Sequence, residues 1–285
     1  MFSVLRDLIR YNIEFAVGLV LVTIVVAYAA LSFFSPVDTS LIYIAPPDMR
    51  PSAQYWFGTN SRGQDLFWNL STAMRNTLTF GIIVAVLSRI ISIIVGLTAG
   101  YVGGWVDRVL MFFNDIFVAV PLFPILVMFY FVLRNDLNTV TLAIIMACLG
   151  WPFDARLIRS VALSLRHREF TRQAVFSGMS PLKIMLQEHL PYVMPIIFAT
   201  AMANLIWSIG VEVTLAVLGF TNIQTPTVGT TLYWANQHSA MVVGTWWWIL
   251  IPTVLIVITF IGLFLLAVSL NEYIDPRSRL RRMGV

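Results

Sequence analysis

The sequence predicts an all-α membrane protein with six transmembrane helices. Three observations carry that prediction. Hydrophobic residues make up 59% of the 285 positions and charged residues only 11%, against about 25% charged in an ordinary soluble domain. The mean hydropathy of +0.83 also excludes disorder, because disordered chains are poor in apolar residues. Finally, the chain offers six apolar runs of about 20 residues or more, the helical length that crosses a hydrocarbon layer about 30 Å thick.

The spans are expected at 13–35, 77–100, 107–133, 137–155, 192–218 and 246–270. The first resembles a cleaved leader, since Arg6 and Arg10 precede it and Ala27-Tyr28-Ala29 imitates a cleavage site. Its apolar run continues to Phe34, however, which is long for a leader core and right for a span. The chain then divides into an N-terminal segment with the first span (1–35) and a loop (36–76). A five-span core (77–270) follows, carrying a basic loop (155–191), and then a tail (271–285).

Six spans put both termini on one side. Arg6, Arg10, Arg108, the basic residues of 156–183 and Arg277, Arg279, Arg281 and Arg282 gather there. Only Arg50, Arg62, Arg75 and Arg134 fall on the other. Because basic residues are retained in the cytoplasm, both termini and the basic loop are expected inside. The 36–76 loop is then extracytoplasmic, punctuated at Pro46-Pro47, Gly58 and Gly63, and expected to carry short interfacial helices. A second outer segment, 220–245, has no acidic or basic side chain. It is expected to fold back into the membrane depth or to line the mouth of a pathway.

Several chemistries are absent. The net charge of +4 is too small to indicate a nucleic-acid partner. Cys148 is the only cysteine, and His167, His189 and His238 are scattered, so neither a disulfide nor a zinc site is expected. The only lysine, Lys183, lies in Pro181-Leu182-Lys183-Ile184. A phosphate loop of the form GxxxxGK[ST] is therefore missing, and so is a GxSxG nucleophile turn. The chain reads as a pore-forming subunit rather than an enzyme; if ATP drives it, another chain hydrolyses the ATP.

The basic loop carries the most pattern. Residues 155–165 alternate apolar positions at three and four spacing with arginines between, which reads as helix. Gly178 followed by Met179-Ser180-Pro181 reads as a stop and a restart, with Ser180 as N-cap and Pro181 in the first turn. A short helix over about 181–189 is expected, ended by Leu190-Pro191.

Arg172-Gln173-Ala174, three residues, Gly178, nine residues and Glu188-His189-Leu190-Pro191 keep the intervals of the EAA pattern found in permeases of ABC importers. They depart from its residues at Arg172, Gln173 and Glu188. Gly100-Tyr101-Val102-Gly103-Gly104-Trp105-Val106-Asp107, Gly150-Trp151-Pro152, Ala155-Arg156-Leu157-Ile158-Arg159 and Asp275-Pro276-Arg277 add to the likeness. So do Gly58-Thr59, Gly63, Asp65 and Arg75, which match an extracellular GTDxxGRD segment. Together they resemble the C-type permeases of dipeptide, oligopeptide and nickel ABC importers, from about Tyr55 to Arg277.

The resemblance implies the type I importer permease fold with a cytoplasmic coupling helix. Arg172, Gln173, Ala174, Gly178, Pro181, Leu190 and Pro191 would frame that helix, and Ile184, Met185 or Leu186 would anchor it in an ATPase groove. Implied partners are a B-type permease, two ATP-binding subunits, an extracytoplasmic substrate-binding protein and membrane lipid. ATP and magnesium would sit on the ATP-binding subunits, with no cofactor on this chain. Gly58, Thr59 and Asp65 would face the binding protein.

Ionised groups at the bilayer centre cost about 2.5 to 3.5 kcal/mol on insertion scales, so Arg89, Asp115 and Glu212 require a reason. Asp115 is a structural or gating candidate, placed to be solvated or to pair with a loop arginine. Glu212 suits either pathway lining or an interhelical hydrogen bond, with Arg89 as a possible partner. Trp56, Trp68, Trp207, Trp234 and Trp246-Trp247-Trp248 read mostly as interfacial belts, or as surfaces that stack on cargo at the pore mouth.

The cargo suggested by the resemblance is a short peptide, with oligosaccharide as the alternative. Asn60 and Gln64 replace an acid and a base, Thr221 replaces a glycine, and the loop Thr225-Pro226-Thr227-Val228-Gly229 is shortened, all of which lean toward a neutral cargo. An ATP-independent channel or a membrane sensor is the remaining reading.

Overall fold

The computed structural model describes residues 12–133 and 137–274. Arg6, Arg10, Arg134, Asp275-Pro276-Arg277, Arg279, Arg281 and Arg282, used above for topology and resemblance, lie outside them. Among the described residues the fold is helical, and Thr59 and Asp65 form the one isolated antiparallel bridge.

Helix α1 (Ile13–Leu31) starts at Asn12, whose side chain accepts the Phe15 N–H at 3.2 Å. It runs on into a 3₁₀ turn, Ser32–Phe34. The chain then forms turns up to Asp65, which caps α2 (Leu66–Val102) by accepting the Phe67 N–H at 2.9 Å. This corrects the expected loop: it ends at 65 instead of 76 and contains no interfacial helix. The cause is Asp65 as N-cap and the apolar face Leu66, Leu70, Ala73 and Met74, which buries against Trp247, Trp248 and Val228. At 1.5 Å per residue α2 is about 55 Å long, well beyond the hydrocarbon thickness.

Two expected spans are broken. Helices α3 (Gly104–Ala119) and α4 (Leu122–Val132) meet at 80°, and α5 (Thr139–Gly150) and α6 (Pro152–Arg166) at 43°. Proline lacks an N–H and forces the residue before it out of helical geometry. Val120 before Pro121 is accordingly extended, with ψ 123°. Trp151 before Pro152 stays helical, and the second bend is milder. Side chains from neighbouring helices satisfy the carbonyls at this second bend. Ser92 donates to Trp151 O at 2.9 Å and Asn114 to Pro152 O at 2.8 Å.

Helix α7 (Glu169–Phe176) is followed by α8 (Pro181–Lys183), a π-helical stretch Ile184–His189, and α9 (Leu190–Val217). Helices α10 (Val228–Gln237), α11 (Ala240–Val243) and α12 (Trp247–Ile274) complete the chain. Among the described residues, four helical stretches are long and apolar enough to cross a membrane: Ile13–Phe34, Leu66–Val102, Pro181–Val217 and Trp247–Glu272. The number rises to six if each bent pair is one span.

Helix α2 is the centre of the bundle, packed by α1, α5, α6 and α9, while α12 packs on α1 and α9. Small residues let backbones approach where lipid supplies no hydrophobic drive. At Gly100 an added Cβ would lie 2.6 Å from Ala162 Cβ and 2.7 Å from Arg159 O. Gly100→Val is therefore expected to push α6 off α2 and to cost about 1 to 3 kcal/mol. A fall in the apparent Tm of the detergent-purified protein, measured by size-exclusion after heating, checks this.

The two ends of the bundle differ. At one, Trp247 donates to Thr59 O at 3.1 Å, Asn76 to Pro226 O at 2.7 Å, and Arg62 stacks over Trp234 at 4.3 Å. The 35–65 and 220–245 segments thus meet. At the other, Arg166 reaches Val102 O at 3.3 Å and the Tyr101 ring meets His189 edge-on. The basic loop lies there.

Candidate functional site

The basic loop is built around Gly178. Its φ of +76° suits glycine, and a Cβ there would meet no atom within 4 Å. The Gly178 N–H bonds to Val175 O and the Met179 N–H to Ala174 O, closing α7 with a left-handed turn. Ser180 occupies the N-cap position as expected, but its hydroxyl makes no capping bond; its carbonyl accepts the Ile184 N–H at 3.0 Å. Arg172 and Gln173 are exposed on α7, and Pro181 opens α8, while Ala174 is buried.

Two expectations need correcting here. Leu190-Pro191 does not end a short helix: the chain widens into the π-helical turn Ile184–His189 just before Pro191 and passes on into α9. The 181–189 segment is continuous with α9 through the π-helical stretch. Ile184 is also fully buried, and Met185 packs on the apolar cluster of Leu97, Ile158 and Val193. Ile184 is thus closed to an outside partner, while Met185 is half-buried. The exposed apolar side chains are Leu182 and Leu186 on the expected segment and, outside it, Val175 and Phe176; Phe176 is 88% exposed. Behind this face Thr171 holds the loop, donating to Leu165 O at 2.8 Å and lying 3.0 Å from His189 Nε2.

Helix α6, which leads into the loop, is tied down by ion pairs at successive turns. Asp154 pairs with Arg89 of α2, Arg156 with Asp115 of α3 at 2.6 Å, and Arg159 with Asp107 of α3 through Nη2 at 2.6 Å. Asn114 adds a 2.7 Å bond from Arg156 Nε. Asp115 is exposed in this arrangement.

Arg89 does not partner Glu212. Its Nη2 donates to Thr200 O at 3.0 Å, and its other contact is Asp154. Glu212 instead accepts the Thr227 hydroxyl at 2.8 Å, an interhelical bond to the cap of α10. Asp154 and Thr227 were missed as partners, whereas Arg156 is a loop arginine of the kind expected beside Asp115. Asp154 was the most legible, since it falls inside the expected 137–155 span and a buried arginine requires an acid.

The opposite end also departs from expectation. Thr59 is fully buried, its hydroxyl donating to Pro46 O at 2.6 Å and accepting from Met49 N at 2.8 Å. Gly58, at φ +74°, leaves a Cβ only 2.6 Å from Met49 O. Asp65 is a helix cap. These residues knot the loop together, Gly58 and Thr59 buried and Asp65 half-buried.

Asn60 and Gln64 are likewise buried. They bond to one another at 3.0 Å, and Gln64 also donates to Thr39 O and Leu41 O. A neutral amide pair thus stands where the resembled segment has an acid and a base. Thr221, Thr227 and Gly229 are buried too, while Thr225 and Pro226 are half-buried. Among the tryptophans, Trp247 and Trp248 are buried, while Trp56 and Trp246 are exposed.

Broken spans, a buried ion pair and a loop with an exposed apolar face mark a polytopic membrane protein. Residues 92–280 match the family described as binding-protein-dependent transport system inner membrane component. The chain belongs to that family and is a multi-pass inner-membrane protein. It is 34% identical to the oligopeptide transport system permease protein OppC of Mycobacterium tuberculosis, over 82% of this chain and 80% of that one. It is 28% identical to OppC of Bacillus subtilis, over 95% and 88%. The dipeptide transport system permease protein DppC of Bacillus subtilis is 26% identical over 87% and 76%.

Proposed function

We propose that the chain is a transmembrane permease subunit of an ATP-driven, binding-protein-dependent importer and forms half of a pathway for short peptides. In this reading it pairs with a B-type permease, with two ATP-binding subunits that hold ATP and magnesium, and with an extracytoplasmic binding protein. Both termini and the basic loop face the cytoplasm. The relatives named for oligopeptide and dipeptide transport support the cargo. With Asn60 and Gln64 buried, the lean toward oligosaccharide loses its footing.

The observation that carries the reading is the exposed face around Gly178. Val175, Phe176, Leu182 and Leu186 stand open there beside Arg172, on a loop fastened to α6 and α9 from behind. Closure of the ATP-binding subunits would move this face, and the ion pairs of α6 would pass the motion to α2 and α3.

Uptake into sealed vesicles holding the complete complex and its binding protein tests the cargo. ATP-driven uptake from a short-peptide mixture, and none from oligosaccharides, is expected. Uptake of sugars alone overturns the cargo, and uptake of neither redirects it to nickel or another small solute.

Sidedness has its own check in a Cys148→Ser background. An impermeant thiol reagent added outside intact cells is expected to label Ser52→Cys and to spare Ser180→Cys; both positions are exposed. The reverse pattern rejects the orientation.

A further inference from the structure

The two bends enclose a cavity of about 400 Å3, within the roughly 300 to 1,000 Å3 typical of ligand pockets. Its walls are largely apolar, with Phe117, Leu149 and Trp207 among them. The edge nearest the basic loop is different. Val118 on α3 and Phe153 on α6 both line the cavity. One helical turn from each, toward that loop, stand Asp115 and Arg156.

These two side chains pair at 2.6 Å across the seam between α3 and α6, and they are 65% and 43% exposed. The pair differs from its two neighbours on α6 in how it is held. Arg159 grips both carboxylate oxygens of Asp107, and Arg89 and Asp154 are almost closed off from solvent. Arg156 instead gives Nη2 to Asp115 Oδ1 and Nε to Asn114 at 2.7 Å. Its Nη1 and the Oδ2 of Asp115 make no hydrogen bond to the described residues.

An exposed ion pair is weak, because water competes for both charges, whereas a buried pair has no alternative partner. The Asp115–Arg156 pair is thus the one that can open and close readily. Asn114 keeps the guanidinium in place when it opens, since Asn114 is itself buried and donates to Pro152 O at 2.8 Å.

We infer that Asp115 and Arg156 form an exchange site at the edge of the cavity, where a peptide moving toward the basic loop meets Asp115 with its ammonium end and Arg156 with its carboxylate end. The inference rests on the peptide reading above and adds to it the groups that recognise the cargo and their place. Each encounter replaces one ion pair with another, so the cargo is recognised without being trapped. Phe112 lies one turn from Asp115, and both it and Phe153 are exposed. They offer the segment between the charged ends an apolar surface indifferent to side-chain identity.

The test uses the complete complex in vesicles with its binding protein. A photoreactive benzoylphenylalanine replaces Phe112. In the control it replaces Ile94, which is exposed on α2. The two-residue neighbour Gly96, where a Cβ would lie 2.7 Å from Ala155 O, puts that control near the level of Arg156 in the bundle. During ATP-driven uptake a labelled peptide with free ends is expected to cross-link at 112 and not at 94.

The double variant Asp115→Asn/Arg156→Gln removes both charges and keeps the shapes. It is expected to lower cross-linking at 112 about fivefold, the upper end of what one exposed ion pair contributes. Maximal uptake should fall with it, while the Tm of the purified protein stays unchanged.

Uptake without cross-linking at 112, or equal cross-linking at 112 and 94, overturns the site. So does cross-linking that the double variant leaves undiminished. A loss of uptake accompanied by a lowered Tm assigns the pair to structure alone and overturns the exchange. Absence of peptide uptake by the unsubstituted complex overturns the cargo reading first, and the site with it.

Discussion

Replacing Asp154 with leucine is expected to strip most of the protein from the membrane. The substitution leaves Arg89 buried between α2 and α9 with only Thr200 O for company. Breaking one side of a buried ion pair costs about 3 to 5 kcal/mol, largely because the surviving charge has no partner. Replacing both partners with apolar residues removes that penalty. The double variant Arg89→Met/Asp154→Leu is therefore expected to recover most of the lost stability, while peptide uptake stays impaired. Size-exclusion profiles of a fluorescently tagged protein before and after heating read both effects. Equal stability of the single and double variants would show that the pair is not coupled.

The second large effect is expected at the face around Gly178. Phe176→Ala removes an apolar side chain that touches little of its own chain, so the fold should keep its Tm. If this ring fills a partner's pocket, truncation costs about 2 kcal/mol of association, roughly a 30-fold loss at 1.4 kcal/mol per tenfold. Copurification of the ATP-binding subunits should fall accordingly.

Gly178 separates strain from docking. Alanine and leucine there both pay for a left-handed backbone, about 1 to 2 kcal/mol, but only leucine projects into the open space where a partner would sit. Gly178→Leu is expected to abolish peptide-stimulated ATPase activity while Gly178→Ala retains a good part of it. Identical behaviour of the two would leave backbone strain as the whole effect.

Much of this architecture was legible in composition and spacing. Apolar runs of span length located the four long apolar helices and the two bent pairs, and the Gly178 interval located the loop with the exposed apolar face. What escaped lies where one segment depends on another far along the chain. Pro121 announced a kink, but its 80° size depends on what α3 and α4 pack against. Leu190-Pro191 looked like a stop, because nothing local reveals that a π-helical turn carries the helix past the proline. Thr59 and Asn60 looked like surface markers, since nothing local reveals that Trp247, 188 residues later, covers them. The ion pairs of α6 were hidden for a similar reason. Three acids and three arginines give several pairings, and only the helix packing chooses among them.

The bend between α3 and α4 bears on the fate of a newly inserted chain. Side chains cover the carbonyls of the other bend, but Val120 and Leu122 at this one border the open cavity. In hydrocarbon an exposed break is expensive, and irregular backbone persists at membrane depth only where water or protein faces it. Before its partners arrive, the chain is thus a poor solute for lipid. Its lifetime is governed by the supply of companions as much as by its own packing, since stability gained through association follows their concentration. A cell that makes this subunit in excess gains no excess transport; the surplus molecules are substrates for membrane quality control.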